Sequence, residues 1–522
     1  MTVVAADAAD EVVEDPRRRR LILAAMCIAL VAVIASVSAL NVAQQALALD
    51  LRASQNELLW VINGYTLTLA ALLMPIGAIG DRWGRKPILL IGLAVFTSAN
   101  VASSLATTPN VLIALRVVAG VGAAMIMPVT LSVITTSFPA EERARAIGTW
   151  AGFAGAGGIL GLFASAAIID NATWPWVFAV PIVLAAAAFA LTAASVPHLR
   201  EHVSAGFDTA GSVLSVLAVG GWVLALQEGP ADGWTANLTL AGLTAGIAGT
   251  VLFITVELRQ DHPLLDVRLF AIRGLASGSI NLFVVFAVMF SLFLVLIQFL
   301  QAVLGYSALA AACGLLPMAL IMMPLSTVAP TIADRLGVRR TLVAGMLLLA
   351  GGLTALAVLA DAERGYWSIL PGLLVLAAGV GLSMSPSTAA ITSSLPEEKQ
   401  GVASALNDTV REMGGAVGIA LIGSVVNAAF RSNIEPATAS LPPELAERAN
   451  EGIGGALAAA GQLGPRGATL LAAARDAFVD GMRPGLLLAA SAALAAAGYT
   501  ALWGPRTSTP AQAVEESGAG EV

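Results

Sequence analysis

GAIGDRWGRKP at residues 77–87 and PTIADRLGVRR at residues 330–340 are two versions of one hydrophilic turn, each wedged between long apolar runs. Each places an Asp-Arg pair (Asp81-Arg82, Asp334-Arg335) after a small-residue helix end, a glycine three residues beyond the Asp (Gly84, Gly337), then paired basic residues (Arg85-Lys86, Arg339-Arg340). A chain that repeats one loop between corresponding apolar segments contains two homologous halves.

The runs around these turns set the class. The chain has 522 residues, 57% hydrophobic and only 12% charged, against roughly 25% charged in an average soluble domain. This composition implies an all-α, polytopic membrane protein. Windows of about 20 apolar residues place spans near 21–46, 57–79, 88–106, 109–136, 143–169, 175–195, 209–227, 236–256, 275–300, 308–333, 340–360, 367–393, 400–430 and 482–503. That makes fourteen. The first run follows Arg17 to Arg20 directly and is too long for a signal-peptide core, so it reads as a retained helix behind a disordered tail.

An even count puts both termini on one side. Arg82, Arg85, Lys86, Arg143, Arg145, Arg335, Arg339, Arg340 and Lys399 all fall on that side, whereas the short loops opposite hold only Arg52 and Arg364. A Lys/Arg bias of this kind marks the cytoplasmic face. Residues 431–482 form an opposite-side loop whose arginines are interleaved with acids, and its composition around Gly464-Pro465 predicts two short helices and a turn.

The repeat extends beyond its signature. ITTSFPAEER (134–143) follows the fourth span and ITSSLPEEKQ (391–400) the twelfth. Six helices per half then leave the seventh and eighth as a spacer. The expected organisation is a cytoplasmic tail over 1–20, a six-helix bundle over 21–200, spacer helices within 201–270, a second bundle over 271–503 carrying the loop 431–482, and a cytoplasmic tail over 504–522.

With these motifs in order, the chain resembles the major facilitator superfamily, in its fourteen-helix drug/proton antiporter branch. GAIGDRWGRKP is similar to the family's loop between helices 2 and 3, and LIALRVVAGVGAAMIMP (112–128) to its fourth-helix pattern, with Arg116 as the membrane arginine. WVINGYTL (60–67), FLQAVLGYS (299–307) and SALNDTVREMGGAVG (404–418) resemble further stretches. The resemblance implies two rocking six-helix bundles and a proton-transfer role for Arg116. Two departures stand out. The fifth-helix pattern GxxxGPxxGG keeps Gly157 and Gly161 but has no proline, and the first-helix acid of many members is replaced by Ser36.

Ionisable groups at membrane depth are costly and are functional candidates by default. They are Arg116 in the fourth span and Asp408, Arg411 and Glu412 in the thirteenth; Glu57 sits at an interface, and His198, His202 and His262 lie outside the spans. Asp408 and Glu412 share a helical face and Arg411 reaches Asp408 at a spacing of three. Glu412, about 12 residues or 18 Å into its span, is the expected proton carrier, with Asp408 tuned by Arg411. A static ionic cluster is the competing reading for this trio, and a packing donor is the competing reading for Arg116. Ser38, Asn41 and Gln45 on the first helix, Asn63 and Tyr65 on the second, and Asn281 and Gln298 on the ninth are the expected polar lining of a central cavity. Asp81, Arg82, Arg85, Asp334 and Arg335 are expected to latch neighbouring helix ends when the cytoplasmic side is closed.

Cys27 and Cys313 both lie in apolar runs, so no disulfide framework or metal cluster is expected, and no nucleotide loop or nucleophile-base constellation appears. The sequence therefore predicts no enzyme and no bound cofactor, with the proton gradient as energy source. Its expected partners are protons, a small amphipathic substrate and the lipid bilayer of the cell membrane, without nucleic acid, around a monomer. A lipid or endogenous-metabolite exporter, and a non-transporting sensor or scaffold, are the alternative readings.

Overall fold

The structure, a computed structural model, describes residues 12–169, 171–197, 207–464 and 467–505. Within them, fourteen helices are long and apolar enough to cross a membrane. They are α1 (Pro16–Asp50), α2 (Gln55–Trp83), α3 (Arg85–Ser103), α4 (Pro109–Ser137), α5 (Ala140–Ile169), α6 (Ala179–Ser195), α7 (Thr209–Asp232), α8 (Asn237–Glu257), α9 (Arg273–Gln298), α10 (Ala308–Leu336), α11 (Val338–Leu359), α12 (Tyr366–Thr392), α13 (Gln400–Thr438) and, after the short α14 (Pro443–Asn450) and α15 (Ile453–Gln462), α16 (Gly467–Trp503). Helices α1 to α6 make one bundle, and α9 to α13 with α16 make the other.

Local chemistry explains where these helices begin. Ser54 and Glu57 close a reciprocal capping box on α2, Thr108 accepts from Val111 N ahead of Pro109 on α4, and Ser307 accepts from Ala310 N on α10. The two copies of the repeated turn adopt one backbone shape: Gly84 has φ 95° and ψ 136°, Gly337 has φ 91° and ψ 140°. That left-handed region is closed to most L side chains, so the shared Asp-to-glycine spacing is a backbone requirement in both halves.

The halves meet near the face that carries both ends of the described chain, hereafter the terminal face. There α2 touches α13, where a Cβ on Gly77 would come within 2.5 Å of the Gly401 carbonyl oxygen. Helix α5 lies on α10 and α12 at Gly148, where a Cβ would come within 2.7 Å of the Ser326 carbonyl, and Ser326 Oγ donates to Gly148 O at 3.1 Å. Every hydrogen bond found between the two bundles among the described residues falls on this side. The molecule is closed at its terminal face.

The spacer helices α7 and α8 form a tight hairpin, and α7 lies against both bundles, with Gln227 Nε2 donating to Thr66 Oγ1 at 2.8 Å. Beyond α8, the Pro263 carbonyl accepts from Lys399 Nζ at 2.8 Å, just before α13 begins.

Two boundaries differ from expectation. The first helix starts at Pro16, where Asp15 Oδ1 accepts from Arg17 N, so Arg17 to Arg20 form its first turn and do not belong to a tail. Residues 431–482 are mostly not a loop: α13 runs on to Thr438 and α16 starts at Gly467, with α14 and α15 between them. Hydropathy marks where a helix leaves the apolar layer and not where it ends. These extensions hold together by packing of their own, including Phe430 against Phe478 edge-on at 6.4 Å and Arg431 Nε donating to Asn450 O at 3.0 Å. The expected tail segments over 1–11 and 506–522 lie outside the described residues, as do His198, His202 and Pro465.

If backbone contact at Gly77 holds the terminal face shut, Gly77→Val should wedge it open. A cysteine placed at Ala405 is then expected to react with a membrane-impermeant maleimide from the terminal side several-fold faster than in the Gly77 parent. Equal rates would contradict the docking.

Candidate functional site

The ionisable side chains at mid-depth fall into two groups that face each other across the bundle interface. In the first, Arg116 of α4 is fully buried and donates from Nη1 to Ser36 Oγ at 2.8 Å, from Nη2 to Ser36 O at 3.4 Å and from Nε to Val61 O at 3.3 Å. Its guanidinium lies over the Tyr65 ring at 4.1 Å, and Tyr65 Oη donates to Val33 O at 3.1 Å. Ser36 Oγ in turn lies 3.2 Å from Asn100 Oδ1. Arg116 therefore ties α1, α2 and, through Ser36, α3 around itself. No ion pair to it is found among the described residues. The position at which the family resemblance expects an acid is the one that meets Arg116, and here a hydroxyl and two carbonyls serve in its place.

The second group lies on α13. Arg411 Nη1 donates to Asp408 Oδ1 at 2.9 Å, and Asn407 Nδ2 donates to the same oxygen at 3.3 Å. Asp408 is fully buried, Arg411 nearly so, and no hydrogen-bond partner of Asp408 Oδ2 is found among the described residues. The guanidinium of Arg411 lies over two rings, Phe286 of α9 at 4.5 Å and Trp150 of α5 at 5.5 Å from their centroids. Glu412, one residue on, is half-buried. It lies within electrostatic reach of Arg411, Asp408 and Tyr65, and no hydrogen bond to its carboxylate is found among the described residues. The expected proximity of Asp408, Arg411 and Glu412 is present, and Tyr65 links them to the Arg116 group.

The latch residues separate by half. Asp81 is buried and accepts from Gly401 N at 2.7 Å on Oδ1 and from Val402 N at 3.1 Å on Oδ2, with Arg85 Nη2 at 3.3 Å. It thus caps the N-terminus of a helix in the opposite bundle, a site that favours negative charge. Helix α13 has no acid in its own first turn and no side-chain cap of its own. Asp334 and Arg335 are exposed, and no hydrogen bond or ion pair to them is found among the described residues. Arg82 is exposed as well. The physical reason is the start of α5. It begins at Ala140 with Glu141 and Glu142 in its first turn, so the repeat-equivalents of Gly401 and Val402, Ala144 and Arg145, lie past that turn with their amides already used inside the helix.

The expected cavity lining is scattered. Tyr65 is buried against Arg116, and Asn63 and Gln298 are half-buried. Ser38 Oγ donates to Ile34 O at 3.4 Å, within its own helix. Asn281 is fully buried and points at the last helix, donating from Nδ2 to Thr500 Oγ1 at 2.7 Å. The side chains of Asn41 and Gln45 lie outside the described part of the structure. Residues that sequence reasoning passed over include Trp150, Asn100 and two buried acids of the spacer, Glu228 and Glu257. The acids fell at the edges of the hydropathy windows and so were not counted as intramembrane. For Trp150 and Asn100 no one-dimensional signal exists. Among the described residues, no three His, Cys, Asp or Glu side chains are placed to hold a metal ion.

Comparison with known proteins adds three findings. The model of the Major Facilitator Superfamily matches residues 26–419. The multidrug efflux pump LfrA of Mycolicibacterium smegmatis is 34% identical over 484 residues, covering 92% of this chain and 95% of that protein. The methyl viologen resistance protein SmvA of Salmonella typhimurium is 31% identical, with 88% and 93% covered. Among solved structures, the human organic anion transporter MFSD10 (TETRAN) superposes with a TM-score of 0.62 at 13% identity, over 93% of this chain and 100% of that one, a likeness of fold alone.

Removing the Asp81 carboxylate leaves two helix-terminal amides without acceptors. On the scale of helix caps, about 0.5–2 kcal/mol, Asp81→Ala should lower the closed-to-open ratio at the terminal face roughly 2- to 30-fold. Asp334→Ala should leave it unchanged. Spin-label distances across that face read both, and equal effects of the two substitutions would contradict the one-sided latch.

Proposed function

This chain belongs to the Major Facilitator Superfamily, on its multidrug-efflux branch, and from that premise we propose that it exports cationic amphiphiles from the cell in exchange for protons. It is a multi-pass membrane transporter and not an enzyme. The reading places it in the cell membrane as a monomer, with both termini cytoplasmic on the strength of the Lys/Arg bias. The terminal face is then the cytoplasmic one, and the structure corresponds to a cytoplasm-closed state. The proton gradient, and no bound cofactor, supplies the energy.

One observation carries the reading. Of the four ionisable side chains at mid-depth, Arg116 is sealed behind Tyr65, Asp408 and Arg411 are buried against each other, and Glu412 alone is only partly buried. A single partly buried carboxylate without a hydrogen-bond partner among the described residues suits either a proton or an organic cation, and both cannot occupy it fully at once. Competition for one site is the simplest physical basis for exchange, because an equilibrium is shifted only by differential binding to two states. The name of the methyl viologen resistance relative points to the same substrate chemistry.

The test is reconstitution into proteoliposomes with an imposed pH gradient and a fluorescent lipophilic cation. Gradient-driven efflux is expected in the wild type and should fall to the rate of protein-free vesicles in Glu412→Gln. Movement of dye that ignores the gradient would sink the coupling. Movement of lipid without dye would favour a lipid exporter of the same fold, and no movement of either would favour a scaffold.

A further inference from the structure

We infer that Trp150 is a positioning residue that makes the charge state of the α13 acids depend on whether the cytoplasmic side is closed, an inference that rests on the proton-coupled reading above. Trp150 belongs to the first bundle and Arg411 to the second, so their 5.5 Å contact is one that the two halves make with each other. Trp150 lies between Gly148 and Gly152 on α5. These glycines face Ser326, Thr327 and Met323 of α10, so at the depth of Trp150 the halves are in direct contact. When that docking opens, the ring goes with α5 and Arg411 stays with α13.

The ring is held for this purpose. Trp150 Nε1 donates to Thr130 Oγ1 of α4 at 3.2 Å, which fixes the indole within the first bundle, and the side chain is 1% exposed. The other ring over the guanidinium, Phe286, moves with Arg411, since α9 and α13 pack together in the second bundle. In the closed state the two rings exclude water from Arg411 and aim it at Asp408 Oδ1. With Trp150 withdrawn, the guanidinium loses one of its two ring covers and admits water, which screens its charge from Asp408 and Glu412. The charged and titratable groups coupled to Glu412 are Arg411 and Asp408 on its own helix and Tyr65 from α2, while α9 presents the rings of Phe286 and Phe290 and α5 the indole. Of these, Tyr65 and Trp150 belong to the first bundle, and the Trp150 ring is the one that meets the guanidinium of Arg411. A proton taken up or released at Glu412 is thereby tied to the position of a residue on the other half.

The experiment measures, in the purified full-length protein, the pH profile of fluorescent-cation binding and of gradient-driven efflux for Trp150→Leu, Trp150→Phe and Thr130→Val. A cation–ring contact of this kind is expected to move the pH midpoint by roughly 0.5–1 unit when lost. Trp150→Leu should show that shift, Trp150→Phe should keep the wild-type midpoint because the ring remains, and Thr130→Val, which frees the indole without emptying the site, should fall between. A Trp150→Leu midpoint equal to wild type, with only the rate reduced, overturns the role given to Trp150 and leaves proton coupling standing. Efflux by the wild type that ignores the gradient overturns the coupling itself. Should Trp150→Leu not fold, Thr130→Val decides alone, a shifted midpoint supporting the inference and an unshifted one overturning it.

Discussion

The Asp81 carboxylate on the free amides of Gly401 and Val402 is the contact on which the closed arrangement depends. A helix N-terminus buried in a membrane protein leaves amides that must find acceptors, since neither lipid nor a dry interface can supply them. Helix α13 has none of its own, because a separate 3₁₀ turn at Glu397–Lys399 precedes it and its N-cap residue, Lys399, makes no side-chain cap. The acceptor comes from the other half. One short side chain thus both satisfies two helix-terminal amides and joins two bundles. The same turn in the second half has the same backbone and the same acid, yet Asp334 stays exposed because α5 starts earlier and brings Glu141 and Glu142 with it. Duplication copied the turn and not the helix start that gives it something to bind.

The same requirement governs the charges at mid-depth. Arg116 is matched by Ser36, by two backbone carbonyls and by the face of Tyr65, none of which carries a formal charge. That arrangement leaves a net positive charge inside the first bundle. Across the interface, Asp408 and Arg411 cancel, and Glu412 supplies the opposite sign when it is ionised. The long-range attraction between the two bundles at this level therefore depends on whether Glu412 holds a proton. Protonation removes it, and a bound organic cation would replace it.

Much of this was legible in the sequence. The repeated turn, the even number of apolar runs and the Ala/Gly-rich helices gave the helix count and the two-bundle plan, since each rests on local periodicity or composition. Asp408, Arg411 and Glu412 were found from spacing along one helix, which fixes their mutual geometry without knowledge of the fold. What escaped detection depends on packing between distant segments. The capping of α13 by Asp81 spans both halves, and nothing in the repeat distinguishes Asp81 from Asp334 until the starts of α5 and α13 are seen. Asn281 reads as a cavity residue by composition, but its rotation about α9 turns it to Thr500. The extension of α13 and α16 beyond the apolar layer was hidden because hydropathy senses the bilayer and not the helix.

The two inter-half contacts sit at different distances from any pivot near the midplane, and this separates their roles. In a rigid-body rocking motion, displacement grows with distance from the axis, so Asp81 and Gly401, at the very end of α13, part widely for a small rotation. Trp150 and Arg411 lie eleven and twelve residues into their helices, about 16–18 Å deeper, and move apart by little. A hydrogen-bonded helix cap is short-ranged and is lost at once, so it sets how often the face is closed. A cation over a ring weakens more gradually and needs only a modest shift to let water in. The shallow contact thus governs the population of the closed state, while the deep one translates a small movement into a change in the field at Glu412, where proton and substrate would meet.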